Sequence, residues 1–187
     1  MPIAPKLVIL DRDGVINLDS DNYIKSLDEW VPYPQAIAAI GQLCRAGWTV
    51  TVATNQSGIA RGYYDENTLA EMHERLHQLV AATGGAISAI AYCPHGPDDQ
   101  CDCRKPKPGL LLEIQQRLGL ESLHEAWLVG DSLRDLQAGN AVGCRVALVR
   151  TGKGLETEQR QQEEPLVSAP VFDDLAAFTT WLLATTE

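Results

Sequence analysis

The sequence predicts an α/β fold, a doubly wound parallel sheet with helices on both faces, and three observations carry that prediction. Short apolar runs rich in Val, Ile and Leu alternate with segments of helical periodicity, the pattern of successive βαβ units. The helical segments begin and end on recognisable punctuation, Pro or Asp at the start and Gly just past the end. The 187 residues, 45% apolar and 21% charged, suffice for one core and one domain over residues 1–187.

Taken in order, residues 6–10 read as a first buried strand, and residues 11–31 lack periodicity. A helix over 34–46 opens on Pro34 and stops at Gly47, leading to a strand over 49–53. Asp65 caps a helix over 65–83 that ends at Gly84-Gly85, and a strand over 87–92 follows. Residues 93–108 are again aperiodic. Helices over 108–118 and 132–142, stopped by Gly119 and Gly143, alternate with strands over 126–129 and 145–149. Residues 156–169, rich in Gln and Glu, read as a mobile polar loop. A last helix over 173–184 carries Leu175, Phe178 and Leu182 at helical spacing.

Charge narrows the function classes. A formal net charge of −10 excludes a general nucleic-acid binder, which needs a basic face to release phosphate counterions. No apolar run approaches the ~18 residues of a membrane span, and the N-terminus lacks a signal-peptide pattern, so a cytoplasmic protein away from membranes is expected. Any phosphate ligand must meet local positive charge from clustered Lys and Arg or a cation.

The strongest chemical signal is DRDGVIN, residues 11–17, at the C-terminal end of the first strand, where open α/β sheets bind ligands. Once a cation neutralises the repulsion, the Asp11 carboxylate can attack a phosphoryl group, and Asp13 can serve as acid and base. The plainer alternative is an acid pair that caps a turn. Three further segments follow strand ends. TNQSGIARG, residues 54–62, offers Thr54 to phosphoryl oxygens and Asn55 and Arg61 to substrate. CRKPKPG, residues 103–109, supplies Arg104, Lys105 and Lys107. VGDSLRD, residues 129–135, adds Asp131 and Asp135 as carboxylates suited to Mg²⁺.

Cys93-x-His95, five residues, then Cys101-x-Cys103 provides four soft ligands at a spacing suited to one tetrahedral zinc ion. With all four positions filled by protein, the expected role is structural: to order a coil that presents Arg104 and Lys105.

These segments resemble the four motifs of the haloacid dehalogenase superfamily of phosphotransferases across nearly the whole chain. The resemblance implies a Rossmann-like fold without a separate cap domain, Asp11 as nucleophile, Asp13 as acid/base, and Thr54 and Lys105 gripping the phosphoryl group. It also implies Mg²⁺ held by Asp11, the Asp13 carbonyl and Asp131. Within the superfamily, DRDGVIN, TNQSGIARGYY, the CxHx₅CxC loop, CRKPKPG and VRTGKG resemble the heptose bisphosphate phosphatases, which implies a phosphorylated-sugar substrate, Arg104 on the unreacted phosphate, and a place in nucleotide-heptose and lipopolysaccharide biosynthesis. Histidinol-phosphate phosphatases share the zinc loop but usually differ over residues 56–61. Ser132 stands where many relatives have Lys, which gives Asp135 the role of a support more than a ligand. A small uncapped enzyme of this kind is expected to be a monomer.

HERLH, residues 73–77, matches the HExxH zinc-protease pattern but lies between two strands of the phosphatase-like arrangement, and exposed helix surface is the expected role. Gly152-Lys153-Gly154 fails as a Walker loop, because Ala147 and Gly154 occupy positions that need Gly and Ser or Thr. Cys44, Cys144, Trp48 and Trp127 read as core. Two other classes compete: a phospho-accepting receiver module, which would carry its acceptor after a middle strand, and a zinc-stabilised binding protein without turnover.

Overall fold

A computed structural model describes residues 5–163 and 166–186. Residues 1–4, 164–165 and 187, which include the leading residues and part of the expected polar loop, lie outside the described residues. Six strands form one parallel sheet: β1 (Leu7–Leu10), β2 (Thr49–Asn55), β3 (Ile87–Cys93), β4 (Trp127–Gly130), β5 (Arg145–Val149) and β6 (Val171–Phe172), in the order β3-β2-β1-β4-β5-β6. Six α-helices connect or follow them: α1 (Pro34–Arg45), α2 (Glu66–Ala82), α3 (Gly109–Arg117), α4 (Leu133–Ala141), α5 (Gly154–Glu163) and α6 (Leu175–Thr185).

β1 is central, and its four residues are all buried because both of its faces are covered. Val8 and Leu10 join the core beneath α1, α2 and α6, with Ile40, Met72, Leu76 and Phe178. Leu7 and Ile9 point to the opposite face, beneath α3 and α4, with Leu111, Ile114, Leu136 and Leu148. Trp48, Trp127 and Cys144 are buried as expected, whereas Cys44 is only partly so and donates its Sγ–H to the Ala86 carbonyl.

The register levels the strand ends that carry the motifs. Leu10 pairs with Val52 on one side and Val129 on the other, so Asp11, Thr54 and Asp131 emerge at the same edge. The strand order runs outward from β1 in one direction and from β4 in the other, which opens a crevice between them, the usual ligand site of open α/β sheets. Among the described residues nothing resembling a cap domain interrupts the fold; residues 11–31 and 56–64 are loops, with one short 3-10 turn at Leu27–Glu29.

Three expectations need correction. Residues 154–163 form α5, not a mobile loop. Glu and Gln are good helix formers, but only Gly154 and Thr157 are buried, so no apolar stripe announces the helix. β6 contributes a sixth strand of two residues, too short to carry an alternating pattern. HERLH is not exposed helix surface: His73 is 8% exposed, on the inward face of α2 beside Met72 and Leu76.

Candidate active site

Asp11 leaves β1 with its main-chain N–H on the Val129 carbonyl, at 3.0 Å, which fixes its backbone against β4. Oδ1 accepts from the Arg12 N–H at 2.9 Å and from Lys105 Nζ at 3.0 Å. Lys105 is 2% exposed, and its three ammonium hydrogens have three acceptors: Asp11 Oδ1, Asp135 Oδ1 at 2.7 Å and the Ala53 carbonyl at 2.7 Å. Burial alone would lower the Lys105 pKa, but the two carboxylates outweigh it and raise it, so the ammonium is kept. Asn55 fixes the Lys105 backbone, accepting its N–H at 3.0 Å and donating to its carbonyl at 3.1 Å.

Asp13 is held differently. Its Oδ1 accepts from Arg12 Nε at 2.8 Å and from Asn17 Nδ2 at 2.9 Å, and Oδ2 accepts from Gln56 Nε2 at 3.1 Å. Burial would raise its pKa, yet the Arg12 guanidinium and these hydrogen bonds hold it below the usual carboxylate range. Gln56 also donates to Thr54 Oγ1 at 2.9 Å and accepts from the Tyr64 hydroxyl at 2.5 Å, tying the second motif to the first. Arg12 is wholly buried and donates Nη1 to His73 Nε2 at 3.3 Å. An arginine can only donate, so His73 is neutral with its proton on Nδ1, and burial followed by the Arg12 charge pulls its pKa down to about 3.

Asp131 stands on the far side of Asp11. Its Oδ2 accepts the Lys153 N–H at 2.9 Å, and its carbonyl accepts the Thr157 hydroxyl at 2.8 Å. The Thr151 hydroxyl donates to the Gly14 carbonyl at 2.6 Å, closing residues 150–154 over the DRDGVIN turn. The segment that failed as a Walker loop is thus a buttress for Asp131.

Carboxylate oxygens of Asp11, Asp131 and Asp135 all lie within 4.8 Å of one another. Burial and mutual repulsion push the Asp11 pKa up to about 7 and that of Asp131 well above the carboxylate range. Lys105 alone cannot neutralise three buried carboxylates, and an all-oxygen donor set of this charge fits a hard dication such as Mg²⁺. Asp135 is already committed to Lys105 and, through Oδ2, to the Ser132 N–H and hydroxyl that cap α4, at 3.1 and 2.9 Å. Asp11 and Asp131 are therefore the side chains open to the ion.

The crevice has a cavity of about 250 Å³ lined by Asp11, Asp13, Asn55, Lys105 and Asp131, with Arg61, Arg104, Arg134 and Lys153 adding positive charge. Arg61 lies over the Tyr23 ring at 5.7 Å. Of the residues proposed for the magnesium and phosphoryl site, Asp11, Asp13, Lys105 and Asp131 line this cavity, whereas Thr54 is buried behind it with its hydroxyl on Gln56. Arg12, Gln56, Tyr64, Thr151 and Arg134 lay within the quoted motifs without being given a role there, and Thr157 lay outside them.

The sulfur and nitrogen atoms of Cys93, His95, Cys101 and Cys103 cluster beside this wall, also within 4.8 Å of one another. Cys93 Sγ is 3.7 Å from Cys101 Sγ and 3.6 Å from His95 Nδ1, close to the ~3.7 Å edge of a tetrahedron with zinc–sulfur bonds of about 2.3 Å. Cys93 Sγ to Cys103 Sγ is tighter, at 2.9 Å, and the three cysteines are all free of disulfides. The cluster fits a zinc ion.

The HAD-hydrolase-like family model matches residues 102–178. The chain is 59% identical over 181 residues to the D-glycero-beta-D-manno-heptose-1,7-bisphosphate 7-phosphatase of Pseudomonas aeruginosa, covering 97% of this chain and 99% of that protein. A crystal structure of D,D-heptose 1,7-bisphosphate phosphatase from B. bronchiseptica, complexed with magnesium and phosphate, superimposes with a TM-score of 0.91 at 47% identity, over 96% of this chain and 99% of that one. The enzyme of the same name from Burkholderia thailandensis gives 0.67 at 40% identity, over 95% and 98%. With this identity along almost its full length, and with the motif carboxylates at one rim of the sheet, the chain belongs to the haloacid dehalogenase-like hydrolases, in the family of the heptose bisphosphate phosphatases.

Proposed function

We propose that this protein is a Mg²⁺-dependent phosphatase that removes the C7 phosphate of D-glycero-D-manno-heptose 1,7-bisphosphate through an aspartyl-phosphate on Asp11. The observation that carries the reading is the divided environment of Asp11: Lys105 and the Arg12 N–H anchor Oδ1, while no described residue donates to Oδ2. One oxygen is held and the other faces the cavity.

Mg²⁺ on Asp11, the Asp13 carbonyl and Asp131 would supply the charge neutralisation that lets a carboxylate approach a phosphoryl dianion. Asp11 Oδ2 attacks phosphorus, and the bond from phosphorus to the sugar oxygen breaks. Asp13 gives that oxygen its proton, and the freed sugar leaves as an alcohol. Asp13 then takes a proton from water as the water oxygen attacks phosphorus, which releases inorganic phosphate and restores the Asp11 carboxylate. Arg12 keeps Asp13 ionised in the free protein, as the water step needs; the arriving phosphate's negative charge favours the protonated state that the first step needs. Thr54 and Lys105 serve the phosphoryl oxygens, Lys105 by exchanging its hydrogen bond to Asp11 for one to the phosphoryl group, and Asn55, Arg61 and Arg104 meet the substrate.

Zinc at Cys93, His95, Cys101 and Cys103 is structural in this reading, stiffening the chain just before Arg104 and Lys105. The enzyme acts as a cytoplasmic monomer on a small sugar, apart from membranes and nucleic acid. The charge of −10 supports the separation from nucleic acid.

The test is a phosphate-release screen with Mg²⁺ across sugar bisphosphates, sugar monophosphates and histidinol phosphate. The expected result is the highest kcat/KM on the heptose bisphosphate, with many turnovers per chain. Preference for histidinol phosphate would overturn the substrate and leave the mechanism standing; a single turnover would favour a receiver module instead.

A further inference from the structure

Two arginines, Arg104 and Arg134, line both the catalytic cavity and the one next to it. Arg104, between Cys103 and Lys105 in the chain, is half-buried. Its Nη1 is buried and has no hydrogen-bond partner among the described residues. Arg134, exposed on the first turn of α4, lines the same catalytic cavity and, with Arg104, a neighbouring cavity of about 350 Å³. Among the described residues no carboxylate forms an ion pair with either one, and Arg104 is the arginine here that combines this with a buried, unpartnered nitrogen.

Keeping two guanidiniums together and one nitrogen dry and unpaired is unfavourable unless a ligand completes the arrangement. A phosphate dianion matches both the charge and the donor geometry, because each guanidinium can present two parallel N–H groups to its oxygens. The placement is also rigid on both sides. Arg134 is three residues past Asp131, on a helix turn fixed by the Ser132–Asp135 capping box. Arg104 sits between the Cys103 thiol and the pinned Lys105 backbone. The separation between the reacting phosphorus and this pair is therefore set by the fold.

We propose that Arg134 joins Arg104 in holding the phosphate that is not cleaved, and that Arg134 is thereby a specificity-determining residue for bisphosphorylated sugars. This rests on the sugar bisphosphate reading above and adds a residue to it.

The experiment compares kcat and KM for heptose 1,7-bisphosphate and for the same sugar carrying only the 7-phosphate, in the parent enzyme and in Arg134→Gln and Arg134→Lys. The preference for the bisphosphate should fall by about tenfold or more in Arg134→Gln, through KM and not kcat, and Arg134→Lys should recover part of it. A parent enzyme that prefers the bisphosphate while Arg134→Gln keeps that preference would overturn this proposal alone. An equal loss of kcat on both substrates would also overturn it, since Arg134 would then act by supporting the Asp131 turn. A parent enzyme with no preference for the bisphosphate would overturn the substrate reading and, with it, the anchor.

Discussion

Gly14 and Gly152 meet back to back beside the Asp131 carboxylate: a Cβ on Gly152 would lie 2.5 Å from the Gly14 Cα, and a Cβ on either residue would strike Asp131 Oδ2. Both have positive φ, 86° and 59°, where a side chain is strained in any case. Gly152→Ala should therefore push Asp131 out of position and cost about 1–3 kcal/mol of stability. The Mg²⁺ concentration needed for half-maximal phosphate release should rise by about tenfold or more. A Mg²⁺ titration with thermal unfolding checks both; an unchanged titration would remove Asp131 from the ion's shell.

Asp11→Asn should separate function from stability. Loss of the nucleophile should lower phosphate release by about a thousandfold or more. In the metal-free protein the same change should raise the melting temperature, because the amide oxygen can still accept from Lys105 while repulsion with Asp135 and Asp131 disappears. The sign follows from the Asp11 pKa, raised to about 7 by burial and by Asp135: ionisation at neutral pH is unfavourable in the fold. Residual turnover near the parent level would eliminate Asp11 as nucleophile.

His73 should make stability pH-dependent. Its folded pKa of about 3 lies below its ordinary 6.5, so the unfolded chain takes up the proton first as pH falls. This contribution is complete above pH 6.5 and is lost toward pH 3, at up to about 1.4 kcal/mol per pH unit. Paired denaturant titrations of the parent and His73→Gln isolate it from the carboxylates, because Gln can still accept from Arg12 without titrating. Parallel stability profiles between pH 6.5 and 5 would refute the buried neutral imidazole.

Chelation should test the zinc cluster. A thiol reagent should release about one zinc ion per chain, and the stripped protein should melt at a lower temperature in Mg²⁺ buffer. Cys101→Ser should do the same without chelator. Loss of turnover with an unaltered melting curve would argue for a catalytic ion.

Much of this was readable from the sequence because the signals are local. Buried strands appear as short apolar runs, helix ends as Pro, Asp and Gly, and the zinc ligands as four soft side chains within eleven residues. α5 was not readable, since Gly154 and Thr157 are its only buried residues and no apolar stripe marks it. His73 was misread because the HExxH spacing says nothing about which face of α2 turns inward, and the partner that buries it, Arg12, lies 61 residues away.

The sequence by itself determined the first five strands and the helices other than α5, the paired acids after β1 and the four-ligand loop, because each depends on spacing along the chain. The tertiary structure decided which charges meet: that Lys105 spends its hydrogens on Asp11, Asp135 and Ala53, that residues 151–157 brace Gly14 and Asp131, and that Arg134 comes to stand beside Arg104. Those contacts join residues tens of positions apart through the register of β1 with β2 and β4, and no spacing along the chain records that register.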